Sequence, residues 1–347
     1  MCEQHIADHG AVSASPTASA RPQTLPADHD PPWLGVVAVP AMLAIGALVA
    51  LQTQINGELA VELGGGTTAG LSAALVSFGS GLGLLCLAAL IFRPIRAGLS
   101  AVRAALGTGQ LRPWQVVGGS AGAFLVATQG LTVATIGVAL FTVAVVAGQT
   151  ASSLLVDQRG LGPSGPQPVS LLRVAGAALT IVAVALSGSQ RLGGSDPLTA
   201  AALVLALLPL VAGLAIAWQQ AVNGRVSMTG GPWAATGINF AVGCSLLALA
   251  TGIAVAVAGP TQPLPTTWWL YLGGPIGIVF ISLAAVLVRV HGVLVLGLCT
   301  VCGQVTSALV IDHFVGVGHF GPLTAAGAAV TLVGVVLAGL GTRRPSP

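Results

Sequence analysis

The chain has 347 residues, of which 54% are hydrophobic and only 6% charged, with 48 glycines, a formal net charge of +3 and a mean hydropathy of +0.93. A soluble domain covers itself with about 25% charged residues, so this composition excludes an ordinary globular enzyme and points to a chain that meets lipid. An aromatic content of 4% with the single Tyr271 excludes the girdles of an outer-membrane barrel, and scattered arginines without lysine form no basic stripe for nucleic acid.

Residues 1–32 are rich in Ala, Pro, Ser, Asp and His, and the series Pro16, Pro22, Pro26 and Pro31 opposes regular structure. This stretch reads as a disordered cytoplasmic tail. It lacks the basic start and apolar core of a secretory signal, so the first spanning helix is expected to direct insertion. From Trp33 onward ten apolar segments follow, at about 33–56, 70–92, 114–134, 137–156, 169–187, 199–223, 233–258, 268–288, 292–311 and 321–341. A helix needs about 20 apolar residues to cross the hydrocarbon layer, so the expected fold is an all-α membrane protein with ten transmembrane helices. The third and fourth segments are separated only by the turn before Gly137, which predicts an antiparallel hairpin. The loop 93–113 carries Arg93, Arg96, Arg103 and Arg112.

With the N-terminus placed in the cytoplasm, eleven arginines fall inside and only Arg191 outside. The positive-inside rule therefore puts both termini in the cytoplasm of a multi-pass inner-membrane protein.

The second half of the chain restates the first. Gln52, Asn56 and Gly57 recur as Gln219, Asn223 and Gly224, offset by 167; Phe78 and Gly81 recur as Phe240 and Gly243, offset by 162. Trp114, Gly118, Gly119 and Gly122 recur as Trp269, Gly273, Gly274 and Gly277, and Gly148, Gln149, Ser152 and Asp157 as Gly303, Gln304, Ser307 and Asp312, both offset by 155. The matches fall on Gln, Asn, Asp and Trp rather than on common apolar residues, which indicates duplication. The chain divides into repeats at 33–188 and 199–342. Five helices per unit is an odd number, so the units take opposite orientations, and inverted repeats mark secondary transporters. The paired QxxxNG and GQ(x7)D segments and the five-plus-five layout resemble the drug/metabolite transporter superfamily, in its YdcZ-like branch. The resemblance covers about residues 33–341 and implies a ten-helix transporter with export as its activity.

Polar groups are costly in hydrocarbon, so they are the natural functional candidates. Gln149 lies eight residues before Asp157, about 12 Å along a helix, and Gln304 stands in the same relation to Asp312. Ser153 and Ser307 share faces with these glutamines. Gln149, Gln304, Ser153 and Ser307 are therefore candidate substrate contacts, with structural hydrogen bonding between helices as the alternative. Gln52 with Asn56 and Gln219 with Asn223 are i, i+4 pairs near helix ends that read as gates or as interfacial caps. Pro40 and Pro209 lie in the same two helices, where a missing donor favours bending. Asp157 and Asp312 are the acids repeated in both halves, candidates for proton coupling or ordinary hydrated carboxylates. Glu58 and Glu62 read as solvated loop charges.

The pairs Gly118/Gly122, Gly273/Gly277 and Gly79/Gly83 allow helices to approach closely, within the bundle or at a homodimer seam. Cys299 and Cys302 form a CxxC without an accompanying His or acid, and no catalytic set, metal set or nucleotide loop is present in the sequence. No cofactor is expected. The reading is a secondary transporter, not an enzyme, that moves a small organic metabolite or drug-like solute by alternating access. Its partners are that solute and the lipid bilayer, without nucleic acid. The alternative is a non-transporting receptor or assembly subunit.

Overall fold

The computed structural model describes residues 32–163, 165–166, 168–192, 200–315 and 322–340. Most of the expected tail thus lies outside the described residues, and Pro32 opens the first helix. The elements are α1 (Pro32–Glu62), α2 (Gly66–Ile91), α3 (Arg93–Gly107), α4 (Gly119–Gln158), α5 (Leu171–Leu192), α6 (Ala200–Ala258), α7 (Gly273–Val315) and α8 (Pro322–Leu340), with short 3-10 turns at Pro113–Gln115 and Trp268–Tyr271. Among the described residues every regular element is helical. Within lipid each backbone polar group must be satisfied inside its own segment, and runs of Ala, Leu, Val and Gly without charge supply that and little else.

Six described stretches are long and apolar enough to cross a membrane: Val37–Glu62, Gly66–Ile91, Pro113–Val138, Leu140–Gln158, Leu207–Ala258 and Trp268–Val288. The expected ten separate segments meet continuous helical elements instead, because several joints are only one residue long. α4 breaks at Gly137 (φ 74°, ψ 163°) and α6 at Gly231 (φ 81°, ψ 166°), a backbone geometry open to glycine. Gly122 and Gln149 would lie about 40 Å apart on a straight helix, yet they line one cavity, as do Asn223 and Phe240 across Gly231. The chain therefore doubles back at each glycine. Gly277 and Gln304 of α7 line that cavity too, so α7 also turns back between them.

The region 93–113, expected as a loop, is instead largely the helix α3. Ile95, Gly98, Val102 and Ala105 are its buried stripe, at a spacing that belongs to one helical face. That stripe packs with Val226 and Ala235 of α6, while Arg93, Arg96 and Arg103 stay exposed. Arg96 also donates to the carbonyls of Ala89 and Leu90 at the end of α2 (2.6 and 2.7 Å), satisfying carbonyls left open there.

At the centre of the bundle, Phe78 of α2 meets Phe240 of α6 with ring centroids 5.0 Å apart. Ala74, Ala123, Val126, Ala127, Ile278 and Ile281 surround the two rings. Small residues bring the backbones together where lipid supplies no hydrophobic drive between helices.

Candidate functional site: an amide-lined cavity

Close approaches between the two halves come in reciprocal pairs. A methyl group on Gly46 would collide with the Thr300 carbonyl, and one on Gly213 with the Val145 carbonyl. One on Gly119 would collide with the Asn239 carbonyl, and one on Gly274 with that of Ser77. Gly81 abuts the Phe240 ring while Gly243 abuts the Phe78 ring. In each pair the second contact follows from the first by the sequence offsets, with the halves exchanged. Such exchange is the signature of a two-fold relation.

The same exchange positions the polar side chains. A methyl on Gly122 would lie 2.8 Å from Gln219 Nε2, and one on Gly277 would lie 2.9 Å from Gln52 Nε2. Likewise Gly118 faces Asn223 Oδ1 at 2.8 Å, and Gly273 faces Asn56 Oδ1 at 2.6 Å. The GxxxG of each half is the seat for the QxxxN of the other. These four glycines are occupied inside the bundle, whereas Gly79 and Gly83 face open space.

Between the halves lies an internal cavity. Gln52, Gln149, Gln219, Gln220, Asn223, Thr300 and Gln304 are its polar lining; Phe78, Phe240, Phe280 and aliphatic side chains form the rest. No lining residue carries a charge. Most of the lining consists of repeat partners: Val49 with Ile216, Gln52 with Gln219, Leu125 with Phe280, Val145 with Thr300, and Gln149 with Gln304. Gln149 and Gln304 are 3% and 2% exposed, and the Nε2 of each has no hydrogen-bond partner in the protein. Two buried amides without a partner are an unusual cost in a folded protein.

The two ends of the cavity differ. At one end Asn56 Nδ2 donates to Gln129 Oε1 (2.7 Å) and Gln129 Nε2 donates to Thr53 Oγ1 (3.0 Å), a buried knot whose three residues are not among the cavity lining. Gln129 has Ala284 as its partner in the repeat, and there the cavity runs on past Ala284, Ala285 and Asn223. Just beyond Asn223, Arg225 donates to the carbonyls of Gly160 (2.6 Å) and Leu161 (2.5 Å) in the segment after α4. Gly162 and Pro163 of that segment pack on Val293 and Gly224. The residue matching Arg225 in the first half is Glu58, which instead accepts a hydrogen bond from Gln54 in its own helix.

Among the expected substrate contacts, Gln149 and Gln304 line the cavity. Ser153 and Ser307 are not among its lining residues, and the Ser153 hydroxyl donates to the Thr150 carbonyl of its own helix (2.8 Å). Among the expected gate residues, Gln52, Gln219 and Asn223 line it, and Gln52 Nε2 also donates to the Gly273 carbonyl (2.6 Å). Asn56 is held in the Gln129 knot. Asp157 is not a hydrated carboxylate: it is 6% exposed and ion-paired to Arg173 Nη2 at 2.8 Å, and Arg173 also donates to the Pro168 carbonyl. The side chain of Asp312 lies outside the described residues.

Sequence reasoning missed Gln129, Gln220 and Asn239. Asn239 is 1% exposed with both amide atoms unpartnered, and its Oδ1 approaches Gly122 beside Gln219. Gln129 matches Ala284 and Asn239 matches Ser77, so a search for repeated polar residues passes over them. A scan for any amide inside an apolar segment finds all three.

The sequence matches the family described as "Putative inner membrane exporter, YdcZ" over residues 37–186 and 204–337. A comparison with curated proteins finds no match. A solved structure named only "Crystal structure of protein" is similar to this chain with a TM-score of 0.56, covering 89% of this chain and 97% of that one at 16% identity, a likeness of fold alone. Apolar helices folded about an uncharged central cavity, with a family match over both repeats, make this chain a member of the YdcZ family of drug/metabolite transporters, multi-pass membrane proteins of exporter type.

Proposed function

We propose that the protein is a secondary transporter that exports a small organic solute from the cytoplasm by alternating access through the central cavity. The observation that carries this reading is the pair of buried, unpartnered amides of Gln149 and Gln304, related by the repeat and both lining one uncharged cavity. Buried polar groups without a structural partner inside a membrane bundle mark solute paths.

The reading takes the chain as ten spans in two inverted five-helix units, with both termini in the cytoplasm. Contacts between loops support it, because segments assigned to one face touch each other. The backbone N–H of Gln262 donates to the Leu63 carbonyl (3.0 Å), joining two segments assigned outside. Arg225 reaches Gly160 and Leu161, and Gly98 of α3 packs on Gly230, all assigned inside. Under this topology the Asn56–Gln129–Thr53 knot is the outer gate. The segment 160–163, strapped by Arg225, is the inner one. Rocking one unit against the other would open them in turn about a fixed site.

The test is metabolite profiling inside and outside cells that express wild type, no protein, or a Gln149→Ala/Gln304→Ala variant at equal membrane level. A solute that leaves the cytoplasm with wild type and is retained with the variant is the expected result. Identical profiles for wild type and variant would remove the cavity from the function.

A further inference from the structure

We infer that the solute is uncharged and carries a carboxamide or lactam group on an apolar, aromatic body. This rests on the transport reading above and names the class of molecule its cavity takes.

Among the residues that line the cavity, the buried unpartnered atoms are of two opposite kinds. Gln149 Nε2 and Gln304 Nε2 are donors, while Gln52 Oε1 and Gln220 Oε1 are acceptors, and the Thr300 hydroxyl is unpartnered as well. A carboxylate satisfies only donors, and an ammonium satisfies only acceptors. An amide answers both at once. The remaining wall is apolar, with Phe78, Phe240 and Phe280 offered to the body of the solute.

Charge is selected against by the same wall. No lining residue is acidic or basic. The nearest acid along the chain from Gln149 is Asp157, about 12 Å away along the helix and already paired with Arg173. Gln149 and Gln304 sit in helix interiors, so no helix terminus supplies a compensating partial charge. An ion in this cavity would lose its hydration and gain no counter-ion.

The experiment uses three probes of one shape: quinoline-3-carboxamide, quinoline-3-carboxylate and 1-methyl-3-carbamoylquinolinium. Binding of each is measured by equilibrium dialysis on the full chain in phosphatidylcholine nanodiscs. The carboxamide is expected to bind about tenfold or more tightly than either ion, and to lose at least about tenfold in Gln149→Leu/Gln304→Leu. A second variant, Gln149→Glu, places a carboxylate in the cavity and is expected to gain about tenfold for the cationic probe. That gain cannot come from misfolding. Equal or tighter binding of an ionic probe by wild type overturns the inference, as does binding of none of the three. If the cation binds best and Gln149→Leu/Gln304→Leu abolishes it, the cavity remains a solute site and only the class is wrong. If no probe binds and the cellular solute profiles are also unchanged, the transport reading falls with it.

Discussion

Gly119 and Gly274 bring the two halves to backbone contact, and their neighbours are atoms that cannot step aside. A Cβ on Gly119 would meet the Asn239 carbonyl and the Gly243 nitrogen; one on Gly274 would meet the Ser77 carbonyl and the Gly81 nitrogen. Forcing a methyl into such a space costs about 1–3 kcal/mol. Gly79 has nothing within 4 Å of its Cβ position, and alanine there gains about 1 kcal/mol in helix propensity. Gly119→Ala and Gly274→Ala should therefore lower the Tm of the purified protein by roughly 3–10 °C, while Gly79→Ala leaves it equal or higher. Equal Tm values for Gly119→Ala and Gly79→Ala, followed by tryptophan fluorescence, would contradict the close approach. The sequence carries the spacing of these glycines but not their partners. GxxxG announces a near neighbour in either case, and only the folded chain puts the amides of Gln52 and Gln219 opposite it. Gln149 and Gln304 were legible as polar groups in apolar runs; Gln129 and Asn239, lacking identical partners in the repeat, were passed over.

At the scale of elements, the segments joining the helices carry most of what the hydropathy pattern hides. α3 was legible in principle, since Ile95, Gly98, Val102 and Ala105 make a helical stripe, but three exposed arginines within it resemble an ordinary charged loop. The strap at 160–163 has no sequence signature at all, because Arg225 grips it through backbone carbonyls, which every residue possesses. Each hydrogen bond from a charged donor contributes about 1.5–3 kcal/mol. Losing even 1.4 kcal/mol shifts an opening equilibrium about tenfold. Ala221 is fully buried beneath this strap, where Gly162 packs. With the native cysteines replaced and Ala221→Cys introduced, Arg225→Ala should speed labelling by a membrane-impermeant maleimide in inside-out vesicles about tenfold. An unchanged rate would mean that the strap is not the closing element.

For the molecule as a whole, the decisive quantity is parity. Each reversal of the chain changes the face on which every later segment lies, so a span miscounted between the members of a contacting pair would separate segments that the structure brings together. Leu63 and Gln262 are joined by a backbone hydrogen bond, and Gly160 and Leu161 by Arg225. An assignment of faces must keep each of these sets together, and ten spans with a cytoplasmic N-terminus does. Nine spans, from losing the reversal within α7, would leave the contacts before it intact but send the C-terminus outside. The C-terminus is thus the sensitive reporter. A green fluorescent protein fused after Pro347 should fluoresce, and alkaline phosphatase at the same site should be inactive. Phosphatase inserted between Pro260 and Thr267 should be active, since that segment pairs with Leu63 on what the proposed topology makes the outer face. The opposite pattern at Pro347 alone would remove one span from the second unit. Inversion of the two units would then fail, and with it the symmetry on which the proposed alternating access rests.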